Sequence, residues 1–169
     1  GHYDDKLDLV KKVKDHGRTV DYTFGHDEIA QSVVERDAQS TITSDTTHIF
    51  GHDGHGSVRV LYDLTSTADR IAQAFTFAAY GQLLAVHGAA GVAVPLTAAL
   101  TSLGYSGEHF DAKAQQQYLR ARWYDPANGR FNRLDPFAGN MQDPQTLHKY
   151  AYVHGDPVQG VDPTGLFSL

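Results

Sequence analysis

No cysteine occurs among the 169 residues, so neither a disulfide framework nor a thiolate metal site can hold this fold, and no thiol nucleophile is available. A basic excess is missing too. With 14 basic against 20 acidic residues the formal charge is -6, which gives no electrostatic footprint for a nucleic-acid backbone and sets nucleic-acid binding aside. No basic stretch followed by an apolar one comes after Gly1-His2, so an export signal of any longer parent would lie elsewhere. A long uninterrupted apolar run is the last absence. Residues 81–107 carry no charged side chain, but His87, Gly88, Gly91, Pro95, Thr97, Thr101 and Ser102 interrupt them. They fall short of the roughly 20 apolar positions a spanning helix needs, so they are read as a buried small-residue loop with a short helix.

What is present is a series of short β-prone segments separated by turn chemistry. Thr19-Val20-Asp21-Tyr22-Thr23-Phe24 alternates, residues 32–36, 40–43 and 48–51 follow, and Asp53-Gly54 marks a turn. Residues 58–63, 74–81 and 118–124 continue the pattern, and Asn128-Gly129 is the strongest hairpin signal in the chain. Helical periodicity is weak at residues 6–14, and residues 144–149 suit one short turn. Aromatic, spacer, glycine patterns recur at Phe75-Thr76-Phe77 to Gly81 and at Trp123-Tyr124-Asp125 to Gly129, with a looser echo at Tyr3-Asp4. Each unit is a hairpin whose aromatic face cannot be buried alone, so hairpins are expected to stack side by side into a continuous sheet. One domain with one modest core fits the length. The fold class expected is mainly β, with antiparallel stacked hairpins and short helical or loop insertions.

A specific resemblance rests on stations that follow in order. They are His52-Asp53-Gly54-His55-Gly56-Ser57-Val58-Arg59, Tyr80-Gly81-Gln82-Leu83-Leu84, Tyr105-Ser106-Gly107-Glu108-His109-Phe110-Asp111, then Tyr118 through Pro126 with Gly129-Arg130-Phe131. Arg133-Leu134-Asp135-Pro136, Tyr150-Ala151-Tyr152-Val153, Asp156-Pro157 and Val161-Asp162-Pro163-Thr164-Gly165-Leu166 complete the set. This pattern resembles the YD-repeat, or RHS-repeat, proteins and their repeat-associated core, a family of bacterial polymorphic toxins, insecticidal toxin-complex C subunits and, distantly, teneurins. The resemblance divides the chain into weakly matching strands at 1–48, a core at 49–166, and the start of a variable segment at 167–169. The sequence departs from the pattern in an apolar insertion at residues 88–103 and an extra stretch at 140–144.

The resemblance implies the end-piece of a spiral β shell that encloses or displays a C-terminal cargo segment, on a secreted or cell-surface protein. Its partners would be the remaining repeats of a parent shell or other copies of the chain, and the cargo itself. It also implies self-cleavage of the Leu166–Phe167 bond, with Asp135 and Asp162 as the catalytic pair. The chemistry is coherent: two carboxylates brought close do not both ionise cheaply, so one can accept a proton from water while the other supplies one. Arg133, two residues before Asp135, could hold a carboxylate or polarise the scissile carbonyl. A competing reading makes both Asp-Pro stations turn starters whose side chains cap the reversal. Asp143 reads as an exposed loop acid.

His26, His48, His52 and His55 have metal-like spacing, but a glycine-rich turn inside the repeat pattern accounts for them, and neither a metal nor a cofactor is expected. Phe75, Phe77, Trp123, Tyr124, Tyr150 and Tyr152 are read as cross-strand packing. An adhesion or glycan-binding surface is the alternative to which those aromatics would belong. The β reading carries a direct check: far-UV circular dichroism of the purified chain should give a strand-dominated spectrum without a helical double minimum, and a helical or unfolded spectrum would reject it.

Overall fold

A computed structural model of the chain describes residues 12–15, 17–25, 28–136, 141–142 and 144–166. Eight strands follow one another as an antiparallel meander: β1 Lys12–Asp15, β2 Arg18–Phe24, β3 Glu28–Arg36, β4 Ile42–His52, β5 Val58–Asp63, β6 Ile71–Phe77, β7 Leu83–His87 and β8 Ala93–Val94. A second, four-stranded sheet is built from β9 His109–Asp111, β10 Gln116–Leu119, β11 Arg122–Asp125 and β12 Arg130–Phe131, in the order β12-β11-β10-β9. The mainly antiparallel β architecture expected from the hairpin signals is the one found. The meander crosses positions 48 and 49 without a break, inside β4.

Register places one side chain of every second position on a common face. Val20 opposes Val33, Tyr22 opposes Gln31, Phe50 opposes Leu61, and Phe75 opposes Val86. The apolar residues among these, with Val58, Leu83 and Leu103, form the larger core. Burying each such side chain contributes about 1.5–3 kcal/mol. Each pairing from β2–β3 to β6–β7 also carries a register shift, which bends the strands and strengthens the twist.

The uncharged run of residues 81–107 is more structured than a loop with a short helix. It supplies β7 and β8, then short 3-10 turns at Leu96–Ala98 and Tyr105–Gly107, and between these it lies as a strap across the core face. Leu96, Ala99, Leu100 and Leu103 pack onto the sheet, which is why the segment is apolar. The strap has no ladder of its own, so side chains from the sheet satisfy its backbone. Gln73 donates to the Ala98 carbonyl at 2.9 Å and accepts from the Leu100 amide at 2.7 Å. The Leu100 carbonyl accepts from Gln31 Nε2 and from Arg18 Nη2, both at 3.0 Å. Tyr22 and Ser102 hydroxyls meet at 3.1 Å. None of the described helical turns is long and apolar enough to cross a membrane.

The two sheets are joined by tyrosine hydroxyls on backbone carbonyls. Tyr124 donates to Tyr80 O at 2.8 Å, while the Tyr105 hydroxyl lies 2.7 Å from Pro157 O and 3.0 Å from Ala79 O. Burial pushes the Tyr105 hydroxyl up to about 12, so it remains a donor. Gly81, at φ +85°, presses against the Tyr105 ring so closely that a Cβ would fall 2.6 Å from Cδ1.

Three expectations are refined. Residues 118–124 form two strands rather than one, because Arg120 takes φ 62° and turns the chain between β10 and β11. Residues 12–14 of the weakly helical segment lie in β1, and the rest of that segment is outside the described residues. The short turn near residue 144 is a 3-10 turn, Pro144–Leu147. Because Gln73 fastens the strap at both a donor and an acceptor, Gln73→Ala should lower unfolding free energy by about 1–3 kcal/mol. Urea titration measures the loss, and hydrogen exchange should show faster exchange at the Leu100 amide.

Candidate functional site

Along β11 buried and half-buried positions alternate, so Arg122 points inward with Tyr124. A guanidinium in that position must find partners for its donors, since an unpaired buried charge is strongly unfavourable. Arg122 finds them on three separate segments, around residues 135, 149 and 162–165. Its Nη2 lies 2.9 Å from Asp135 Oδ2 and 3.9 Å from Asp162 Oδ2. Its Nη1 donates to Lys149 O at 3.3 Å and its Nε to the Gly165 carbonyl. The group also sits 3.6 Å above the Phe131 ring, a cation–π contact on top of the smaller core of Leu119, Tyr124, Phe131, Tyr152 and Val153. Within that core the Tyr124 and Tyr152 rings stack at 4.2 Å.

Asp162 holds the last described residues in a tight reversal. Its side chain is 2% exposed, and Oδ1 accepts from the Gly165 amide at 2.8 Å and from the Thr164 and Leu166 amides at 3.2 Å each. The turn-capping geometry expected of an Asp-Pro station is therefore present at Asp162, while Oδ2 faces Arg122. Gly165, at φ +70°, runs against the β10–β11 turn, where a Cβ would collide with the Leu119 carbonyl. The Ala121 amide donates to Thr164 O at 3.2 Å. Arg120 adds a second clamp by donating to the Pro163 carbonyl and to both Glu108 carboxylate oxygens, at 3.1 and 3.2 Å.

Asp135 and Asp162 are thus brought to one guanidinium beside the Gly165 carbonyl and the Leu166 amide. Asp135 is half-buried, its amide bonded to Lys149 O at 3.0 Å. Arg133 is exposed, and the arginine between the two aspartates is Arg122 instead. Leu166 is exposed; Phe167 and Asp143 lie outside the described residues. The signal that could have singled out Arg122 was a charged residue at an inward position of an otherwise aromatic strand.

His48, His52 and His55 go to separate places, and His26 lies outside the described residues. His48 Nδ1 lies 3.4 Å from Gln31 Nε2, with burial lowering its pKa. His52 faces Glu28 at 3.5 Å, and the His55 ring packs 4.9 Å from Tyr105. Among the described residues no three His, Asp or Glu side chains are grouped to hold a metal. Trp123 is half-buried and packs 5.1 Å from Tyr118.

Known proteins with similar sequences and folds fit this architecture. The chain is 26% identical, over 179 aligned residues and 96% of its length, to the tRNA nuclease WapA of Bacillus subtilis, of which it spans 7%. It is 28% identical over 69% of its length to Salivary gland surface protein 1 of Aedes aegypti, spanning 3% of that protein. The crystal structure of TcdB2-TccC3-Cdc42 shares the fold, with a TM-score of 0.63 and 22% identity over 88% of this chain and 6% of that one. No protein-family model matches. The structural likeness shows the fold that this chain shares with a small part of a much longer chain.

Removing the guanidinium would strand a buried carboxylate. Arg122→Ala should therefore cost about 3–5 kcal/mol in urea unfolding. Arg122→Lys should recover only part of it, because a single ammonium cannot reproduce the planar fork. An unchanged Arg122→Ala midpoint would show that the cluster does not hold the tail.

Proposed function

We propose that the chain is the end-piece of an RHS-type β shell that fixes its own C-terminal tail to the wall and cuts it after Leu166, releasing or presenting a cargo segment. The observation that carries this reading is the convergence of Asp135, Asp162 and the Gly165 carbonyl on Arg122. Two carboxylates and a fixed cation beside a held peptide form the constellation that aspartate-driven hydrolysis requires.

In this reading the reversal capped by Asp162 presents the Leu166–Phe167 bond, and Arg122 and Arg120 hold the preceding carbonyls so that the bond stays in place. Between them, the two carboxylates take a proton from the attacking water and return one to the departing Phe167 amine. Arg122 keeps both carboxylates oriented. Any nuclease-like activity would belong to the cargo rather than to this acidic chain. The remaining repeats of a parent shell would pair with it, and the parent would act at the cell surface or after secretion.

A second reading draws on the open groove of about 600 Å³ whose lining includes Tyr80, Asn128, Arg130, His148 and Tyr150. Planar polar groups beside tyrosine rings suit a sugar, and glycan-array binding lost in Tyr150→Ala would favour adhesion over cleavage.

The decisive measurement is intact mass after extending the chain beyond Leu169 with a reporter. The expected result is a break between Leu166 and Phe167 in the unaltered sequence, and an unbroken chain in Asp135→Asn and Asp162→Asn. An intact unaltered chain would leave a plug without protease activity.

A further inference from the structure

The strap meets the meander at a polar spot in an otherwise apolar face. Gln31 on β3 and His48 on β4 stand opposite each other there, and both are buried. The side-chain nitrogen of Gln31 is shared between two neighbours: it donates to the Leu100 carbonyl at 3.0 Å and lies 3.4 Å from His48 Nδ1. The other half of the same amide, Gln31 Oε1, is buried without a hydrogen-bond partner, an uncommon condition for an acceptor. Arg18 Nη2 is the second donor to the Leu100 carbonyl, also at 3.0 Å.

This sharing suits only one protonation state of the histidine. Neutral His48 with its proton on Nε2 offers a lone pair at Nδ1, so a donor in the place of Gln31 Nε2 satisfies both the ring and the strap carbonyl. Imidazolium carries a proton on both nitrogens, and Nδ1 would then turn a hydrogen toward the Gln31 amino group. Rotating the amide relieves that clash by bringing the unpartnered Oε1 to the ring. The same rotation sets Oε1 against the Leu100 carbonyl oxygen, so one position cannot serve a charged His48 and the strap together. The surroundings act on the histidine from several strands. Burial, the largest influence, and Arg18 on β2 hold the His48 pKa below its ordinary value, while Asp63, directly across on β5, opposes them. Asp63 accepts from the Thr65 hydroxyl and amide at 2.6 and 2.8 Å, and Arg18 lies 4.0 Å from Glu35. Tyr22, across β2 from Gln31, has its hydroxyl against Ser102, and the strap carries no charged side chain.

We propose that His48 and Gln31 form an acid-sensitive latch on the strap: a proton on His48 takes Gln31 away from the Leu100 carbonyl and releases residues 96–102 from the core face. Leu96, Ala99 and Leu100 would leave the larger core with it. Release would reach the smaller sheet as well, because the Ser102 carbonyl accepts from the Phe110 amide at 2.7 Å and Leu103 bridges His109. With the strap open, His48 takes its proton at the ordinary imidazole value of about 6.5, whereas the closed strap holds the proton off until lower pH. The closed form is therefore fully favoured above about pH 6.5 and loses ground as the pH falls below it, by up to about tenfold per pH unit for one proton.

Hydrogen exchange of the full chain at about pH 7.5 and about pH 5.5, expressed as protection factors so that the intrinsic pH dependence drops out, tests the latch. Protection at the Ala98, Ala99 and Leu100 amides should fall about tenfold at the lower pH while the β3 and β4 amides keep theirs. His48→Gln, which takes up no proton in this range, should leave strap protection the same at both values. Strap protection that does not change with pH in the unaltered chain overturns the proposal. So does a fall that persists in His48→Gln, or one shared equally by every strand, which would be global acid unfolding. Should His48→Gln fail to fold, the His48 ring resonances of the unaltered chain replace it: they should titrate with the same midpoint as the strap amides, and separate midpoints would overturn the latch.

Discussion

The Arg122 guanidinium ties together parts of the chain that are distant in sequence. It sits above Phe131, between Asp135 and Asp162, and against the carbonyls of Lys149 and Gly165. A buried cation in a small aromatic core is unfavourable by itself, and such ion pairs are poor sources of net stability. What they impose is geometry. With one donor group and several acceptors from distant segments, only an arrangement that brings the tail back to the β10–β11 hairpin leaves no charge stranded.

The rest of the smaller sheet is arranged to keep that arrangement in place. Arg120 accepts a left-handed backbone conformation, which is uncommon outside glycine, and in it reaches both Glu108 and the Pro163 carbonyl. Gly165 is required where the tail meets the turn, for both its φ and its lack of a Cβ. Tyrosine hydroxyls then lock the small sheet onto the large one through backbone carbonyls, a fastening that burial keeps protonated. The strap across the meander uses the same device in reverse, with Gln31 and Gln73 reaching out of an apolar face to satisfy a backbone that has no ladder.

The chain spans only 7% of the WapA sequence it resembles and 6% of the toxin-complex chain that shares its fold. Sheets of stacked hairpins are built by nearest-neighbour contacts, so a segment of this length can carry a complete local arrangement within a much larger protein. The tail clamp is such an arrangement, since each of the groups that meet at Arg122 comes from residues 122–165.

The alternation of strands, the turn pairs and the order of the stations were determined by the sequence, because side-chain direction along a strand and glycine-bearing turns follow from local backbone sterics. Asp135 and Asp162 were singled out by the Asp-Pro stations of the resemblance. Other features were decided only in three dimensions. Asp135, Asp162, Arg122 and Lys149 are far apart in the chain, and which arginine stands between the aspartates depends on the inward facing of β11 and on the tail's return path. The strap's role was hidden because an uncharged, glycine-containing run is equally compatible with several surroundings until a sheet covers it. Gln31 is shared between His48 and the Leu100 carbonyl because the strap folds back over the meander, a meeting of distant segments that no local pattern encodes.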